Sequence, residues 1–310
     1  MLNGWLKKIA CLLIIGWSGT IFSHAKIFVG ASIAPVAFLI EQVGKEKVEV
    51  MVMIPPGGSP HTYEPTPQQL AQVSKADLFV KVGSGIEFEL AWMDKVISLN
   101  KKMKICDASR GVEWIEMEEE AEKRTGSSFH LHRNCESETM TPGAHHHHGA
   151  KDPHIWMSIQ NAIIMTKNIC GALAEVDSAN KDFYTQNADA LIGELTALKN
   201  EIEQKLGGVQ QRSFFIFHPS WGYFAKEFGL TQIAIEQQGK DPAPQQLARL
   251  IQSAKKQNVR VIFAAPQFSR KSAEVVSQEI HGKVLLIDNL SKNYIQNLRQ
   301  AADAFAENTQ

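Results

Sequence analysis

Two copies of one short pattern, set far apart, constrain the fold of this chain more than any other feature. Pro65-Thr66-Pro67-Gln68-Gln69-Leu70-Ala71 and Pro242-Ala243-Pro244-Gln245-Gln246-Leu247-Ala248 lie 177 residues apart. Each follows a strand-like run and opens a helix that leads to another strand. Proline suits the first turn of any helix, where its missing N–H is not needed. Six matches in seven residues are therefore weak alone. Embedded in the same strand-helix-strand order, they favour two similar lobes.

The runs around each copy agree. Strand-like apolar runs cover residues 26–31, 48–54, 76–83 and 103–107, then 212–217, 232–235, 259–264 and 284–287. Helical runs lie between them at 35–43, 67–73, 88–99 and 221–228, with Gly44 and Gly229 as stops. Such alternation implies βαβ units, so the expected class is α/β with mostly parallel sheets. A helix over 178–206 divides the two halves, with Ala190, Leu191, Leu195, Leu198 and Ile202 as an apolar stripe. It reads either as a stiff strut or as an ordinary surface helix.

Two segments stand outside this rhythm. Residues 1–25 have a signal peptide's layout: basic Lys7 and Lys8, an apolar core over 9–17, and small Ser23 and Ala25 before Lys26. Cys11 sits too early for a lipid-attachment site, so a soluble, exported protein is expected. Residues 113–151 hold an acidic run around Glu116 and six histidines, His130, His132, His145, His146, His147 and His148. That composition is expected to stay disordered or mobile. The net charge of −1 excludes a broad nucleic-acid footprint. Four cysteines without a CxxC pair exclude a zinc ribbon. Pairing among Cys106, Cys135 and Cys170 stays open.

His61, His154, His218 and Asp288 all fall on loops at strand ends or before helices. In open α/β sheets those positions line the ligand crevice. Three imidazoles and a carboxylate suit Zn²⁺, which takes nitrogen and oxygen donors in tetrahedral geometry. Only neutral imidazole binds, so affinity should fall on acidification. Taken singly, His154 and His218 read equally as buried, hydrogen-bonded structural histidines.

The motifs Gly58-Ser59-Pro60-His61-Thr62-Tyr63-Glu64-Pro65, Asp152-Pro153-His154-Ile155-Trp156, Phe217-His218-Pro219-Ser220-Trp221-Gly222-Tyr223-Phe224, Pro266-Gln267-Phe268-Ser269 and Ile287-Asp288 resemble the metal-binding solute receptors of ABC importers, the cluster A-I (cluster 9) family. They are most similar to its periplasmic zinc-binding, ZnuA-like branch. The resemblance implies an N-terminal α/β lobe over 26–177, a rigid linker helix over 178–206 and a C-terminal lobe over 207–310, with the metal in the crevice between the lobes. It implies His61, His154 and His218 as ligands, with Asp288, Glu64 or water fourth. It also implies a non-enzymatic, monomeric periplasmic protein that delivers Zn²⁺ to a membrane permease. The loop histidines would be low-affinity auxiliary sites, joined by Cys135 if reduced. Manganese-binding relatives generally carry Glu at the position of His218, so His there favours zinc. The alternatives are a manganese or iron receptor of the same family, a zinc hydrolase with Glu64 as base, and a surface adhesin.

Overall fold

A computed structural model describes residues 26–116, 151–236, 243–257, 259–267 and 271–308. The expected signal segment, the six loop histidines and Cys135 lie outside the described residues.

Two four-stranded, all-parallel sheets organise the chain. The first contains β1 (Ile27–Ala31), β2 (Val48–Val52), β3 (Leu78–Lys81) and β4 (Lys104–Asp107), in the order β2-β1-β3-β4. The second contains β5 (Ser213–Ile216), β6 (Thr231–Ala234), β7 (Val261–Ala264) and β8 (Lys283–Leu286), in the order β6-β5-β7-β8. The two lobes therefore share one winding. The inner strands are buried along most of their length, as expected of parallel strands covered on both faces.

Helices α1 (Ala34–Gly44), α2 (Pro67–Val73) and α3 (Glu87–Leu99) connect the first sheet, and α4 (Ile159–Val176) follows it. Helix α5 (Lys181–Gly207) runs between the lobes for about 40 Å at 1.5 Å per residue. The second lobe adds α6 (Gly222–Glu227), α7 (Pro244–Lys256), α8 (Lys271–Glu279) and α9 (Tyr294–Asn308). Helix α5 buries Tyr184, Ala188, Leu191, Leu195, Leu198, Ile202 and Leu206, spaced three or four apart, against α1, α4 and α9. Ala190 was expected in this stripe but faces solvent; two residues from Ala188, it lies well off the buried face.

One continuous core runs from β1–β4 through α4 and α5 to Phe214, Trp221, Phe263 and Phe305 of the second lobe. A smaller core of Phe215, Phe217, Ile262 and Val276 lies on the other face of the second sheet. Alternation along β5 separates the two, Phe214 and Ile216 on one side, Phe215 and Phe217 on the other.

The twin patterns make matching helix starts. Gln69 Oε1 accepts from Thr66 N–H at 2.9 Å, and Gln246 Oε1 accepts from Ala243 N–H at 3.0 Å. Both are reach-back halves of a capping box. Only the first copy has the other half, Thr66 Oγ1 accepting from Gln69 N–H. Gly229 has φ 66°, as a helix stop should. At the other expected stop the left-handed residue is Lys45, with φ 44°. Gly44 is required for space instead: an added Cβ would lie 2.4 Å from Val48 Cγ1.

The strap before α4 ties the lobes together. Trp156 Nε1–H donates to the Asn289 carbonyl at 2.7 Å, and the Tyr294 hydroxyl donates to the Trp156 carbonyl at 2.5 Å. Glu227 accepts from Ile159 N–H and Gln160 N–H at the start of α4.

Candidate metal centre

His61 sits on the loop between β2 and α2. Gly58 N–H closes a turn onto the Pro55 carbonyl at 2.9 Å, and Tyr63 N–H bonds the Ser59 carbonyl at 2.9 Å. Gln69 spans the base of the loop, donating to the Met53 carbonyl at 2.9 Å and accepting from the Tyr63 hydroxyl at 2.7 Å. Phe88 N–H, in the first turn of α3, bonds the Pro60 carbonyl at 3.0 Å.

His154 precedes a short 3-10 turn, Ile155–Met157, at the entrance to α4. His218 lies two residues beyond β5 and is buried with Phe217 and Ser220. The three rings converge. His61 Nε2 lies 3.1 Å from His218 Nε2, which lies 3.2 Å from His154 Nε2.

Each imidazole meets a carboxylate through its other nitrogen. His61 Nδ1 lies 2.9 Å from Glu87 Oε2, His154 Nδ1 2.8 Å from Asp152 Oδ1, and His218 Nδ1 2.5 Å from Glu236 Oε1. A carboxylate accepts, so it fixes the proton on Nδ1 and leaves a lone pair on Nε2. Three lone pairs then face one another at van der Waals distance. A cation between them removes that repulsion. Bonds of about 2.0–2.1 Å at tetrahedral angles put the nitrogens about 3.3 Å apart, close to the separations here.

Burial pushes the His218 imidazole down to about 4, against the upward pull of Glu236. It is therefore neutral, as a ligand must be, at any ordinary pH. The hydrogen bond from His61 holds the Glu87 carboxyl below the usual range, against the effect of its burial.

Among the described residues, His61, His154 and His218 form the one group of three or more potential donors whose ligand atoms all lie within 4.8 Å. Asp288 lies outside it. Its Oδ1 accepts from Gln267 Nε2 at 2.6 Å and from Leu290 N–H at 2.9 Å. Glu64 is exposed and also outside it. Trp156 packs edge-on to His154 at 5.3 Å between ring centroids. Cys106 and Cys170 are free thiols, and burial pushes Cys106 up to about 12.

The structure brings together the three imidazoles expected from the sequence, and beside them three carboxylates that were not expected. Asp152 had a usable local signal: an Asp two residues before a His can accept from both its N–H and its ring, as it does here at 2.8 Å each. Glu87, the first residue of α3, and Glu236, two residues beyond β6, had none, being brought in by the packing of separate elements.

The model of the family described as zinc-uptake complex component A, periplasmic (ZnuA), matches residues 29–308. The high-affinity zinc uptake system protein ZnuA of Bacillus subtilis (strain 168) is 29% identical over 324 residues, covering 98% of this chain and 97% of that protein. The manganese ABC transporter substrate-binding lipoprotein scaA of Streptococcus gordonii is 28% identical over 274 residues, covering 84% of this chain and 79% of that one. A solved structure of a ZnuA deletion mutant with zinc bound superposes with a TM-score of 0.79 at 36% identity, covering 92% of this chain and 98% of that one. The family match spans both sheets and every residue of the imidazole cluster, and on it the chain belongs to the ZnuA family, the metal-binding substrate-binding proteins of ABC transporters.

Proposed function

We propose that this protein captures Zn²⁺ outside the cytoplasm, in the periplasm, and hands it to the membrane permease of an ABC importer without chemical turnover. The observation that carries the reading is the set of three Nε2 atoms, each presented by a carboxylate on the opposite ring nitrogen. His61, His154 and His218 supply the ligands. Water takes the fourth position while Asp288 keeps its bonds to Gln267 and Leu290.

Zinc is favoured over manganese because three nitrogens with no carboxylate among them suit the borderline-soft ion, whereas Mn²⁺ prefers oxygen. The manganese reading draws support from the relative named for that ion. A hydrolytic reading would need a base beside a metal-bound water. Asp152, Glu87 and Glu236 are each committed to an imidazole.

Crystals of the metal-loaded chain, with anomalous scattering collected across the zinc and manganese edges, test this. A zinc peak within bonding distance of the three Nε2 atoms is expected. A manganese peak after growth with both ions, or no peak there, would sink the zinc reading. Asp288→Asn should leave zinc affinity within about threefold; loss approaching that of a removed ligand would assign Asp288 to the metal instead.

A further inference from the structure

The three imidazole-carboxylate pairs are chemically alike but unequally buried. The side chains of His154 and Asp152 are each 4% exposed, and those of His218 and Glu236 are 5% and 2% exposed. Those of His61 and Glu87 are 24% and 53% exposed. The first two pairs are also locked by the backbone. Asp152 N–H bonds the Ile115 carbonyl at 2.9 Å, and Glu236 N–H bonds the Phe217 carbonyl at 3.0 Å. His61 stands on a loop tied to α3 by the Phe88-to-Pro60 backbone bond and the Tyr63–Phe88 ring contact, beside the Glu87 contact itself.

We infer that Glu87 is the release latch of the site: it positions His61, and His61 is the ligand that swings away to admit or free the ion while His154 and His218 still hold it. This rests on the metal-receptor reading and adds the order of events. No bond to the protein is made or broken beyond the metal–nitrogen contacts. Glu87 touches no ion. It acts by fixing the ring orientation and tautomer of His61, and it lies at the mouth where solvent can compete for Nδ1.

The order of events has a kinetic consequence. If His61 is already detached from the ion in the transition state for release, its ring keeps there only the pairing with Glu87 that it has without the ion. Removing Glu87 then raises the release rate and leaves the association rate nearly unchanged. His154 and His218 still grip the ion in that transition state. Weakening them destabilises bound state and transition state alike, so the loss falls on association. A merely structural role for either carboxylate would not divide the effects in this way.

The test uses the full chain loaded with Zn²⁺ and stopped-flow mixing, with a chromogenic chelator for release and free Zn²⁺ for association. Glu87→Ala is expected to speed release roughly tenfold or more, within the range for removed outer partners of metal-bound histidine, with association changed less than about twofold. Glu87→Gln, whose amide oxygen can still accept from Nδ1–H, should recover most of the wild-type release rate. Glu236→Ala is expected to slow association by a comparable factor and change release little; Asp152→Ala serves as the second buried variant if that chain fails to fold. Losses falling in the same rate constant for Glu87 and buried-pair variants, or a release rate unmoved by Glu87→Ala, overturn the latch alone. A wild-type chain that binds no Zn²⁺ overturns the receptor reading and the latch with it.

Discussion

The two lobes wind alike, yet they contribute to the site in different ways. Backbone hydrogen bonds just beyond the strands put them in register. Met53 N–H to the Ala31 carbonyl matches Ile235 N–H to the Ile216 carbonyl, both at 2.8 Å. The next rung, Ile54 to Ser32, matches Glu236 to Phe217, and Ala108 to Lys81 matches Ile287 to Ala264. By this ladder His218 stands where the first lobe has Ile33, Glu236 where it has Ile54, and Asp288 where it has Ser109. The first lobe starts α1 at once, with Ile33 fully buried at the helix start. The second delays α6 to Gly222, and the intervening His218-Pro219-Ser220-Trp221 presents an imidazole at the crevice. One scaffold thus makes a core position in one lobe and a candidate ligand in the other by shifting a helix start.

The comparison breaks most visibly at His218. His218→Ala should remove stoichiometric Zn²⁺ binding, with affinity falling by more than the 10- to 100-fold typical of outer-shell partners. Calorimetry against a competing chelator measures it. Because the ring lies in a buried pocket, a thermal melt of the metal-free variant must accompany the titration. Retained tight binding would mean that the C-terminal lobe contributes no ligand.

Buried carboxylates sharpen the contrast next. Glu89 sits at the strand ends of the first lobe, accepting from the Ser32 hydroxyl at 2.5 Å, Val82 N–H at 2.6 Å and Gly83 N–H at 2.9 Å. It holds loops together, whereas Glu236 holds a histidine. Glu89→Gln places an amide N–H₂ against a backbone donor, so it should cost about 1–3 kcal/mol in denaturant melts. Zinc affinity should stay within about twofold; a loss as large as that of Glu236→Ala would erase the distinction. A pH effect follows as well. Burial holds the Glu89 carboxyl above its ordinary 4.5, so the native state binds the proton more readily than the unfolded chain. Stability therefore falls as pH rises from about 4.5 through the higher native value. Glu89→Gln should flatten that slope, and an unchanged slope would assign it to another group.

How much of this was legible depends on sequence separation. Strands such as Phe214-Phe215-Ile216 announce themselves because both faces are buried and every position is apolar. The histidines could be found because a His beside Pro, between a strand and a helix, has few local uses. The carboxylate partners were mostly illegible. Glu87 and Glu236 reach their histidines across 26 and 18 residues of chain, and neighbouring residues do not encode that meeting. Asp288 shows the same limit from the other side. Its position after β8 was readable, but its engagement by Gln267 depends on how the loops after β7 and β8 pack. Local pattern specifies the strand ends and the residues on them; tertiary packing specifies which of those residues touch.

The finest contrast lies in the twin patterns themselves. Gln69 and Gln246 make the same reach-back bond, but only Gln69 also bonds Met53 and Tyr63 across the base of the His61 loop. Loss of the shared bond should cost each lobe about 0.5–1 kcal/mol, the usual worth of one helix-start interaction. Gln69→Ala should go further, freeing the loop that carries His61 and weakening Zn²⁺ binding severalfold. Gln246→Ala should leave zinc binding unchanged, because its helix carries none of the three imidazoles. Parallel melts and zinc titrations of the two variants separate the effects. Equal zinc affinities would show that the His61 loop is held by α3 alone, through Phe88 and Glu87, and that the second job of Gln69 is structural.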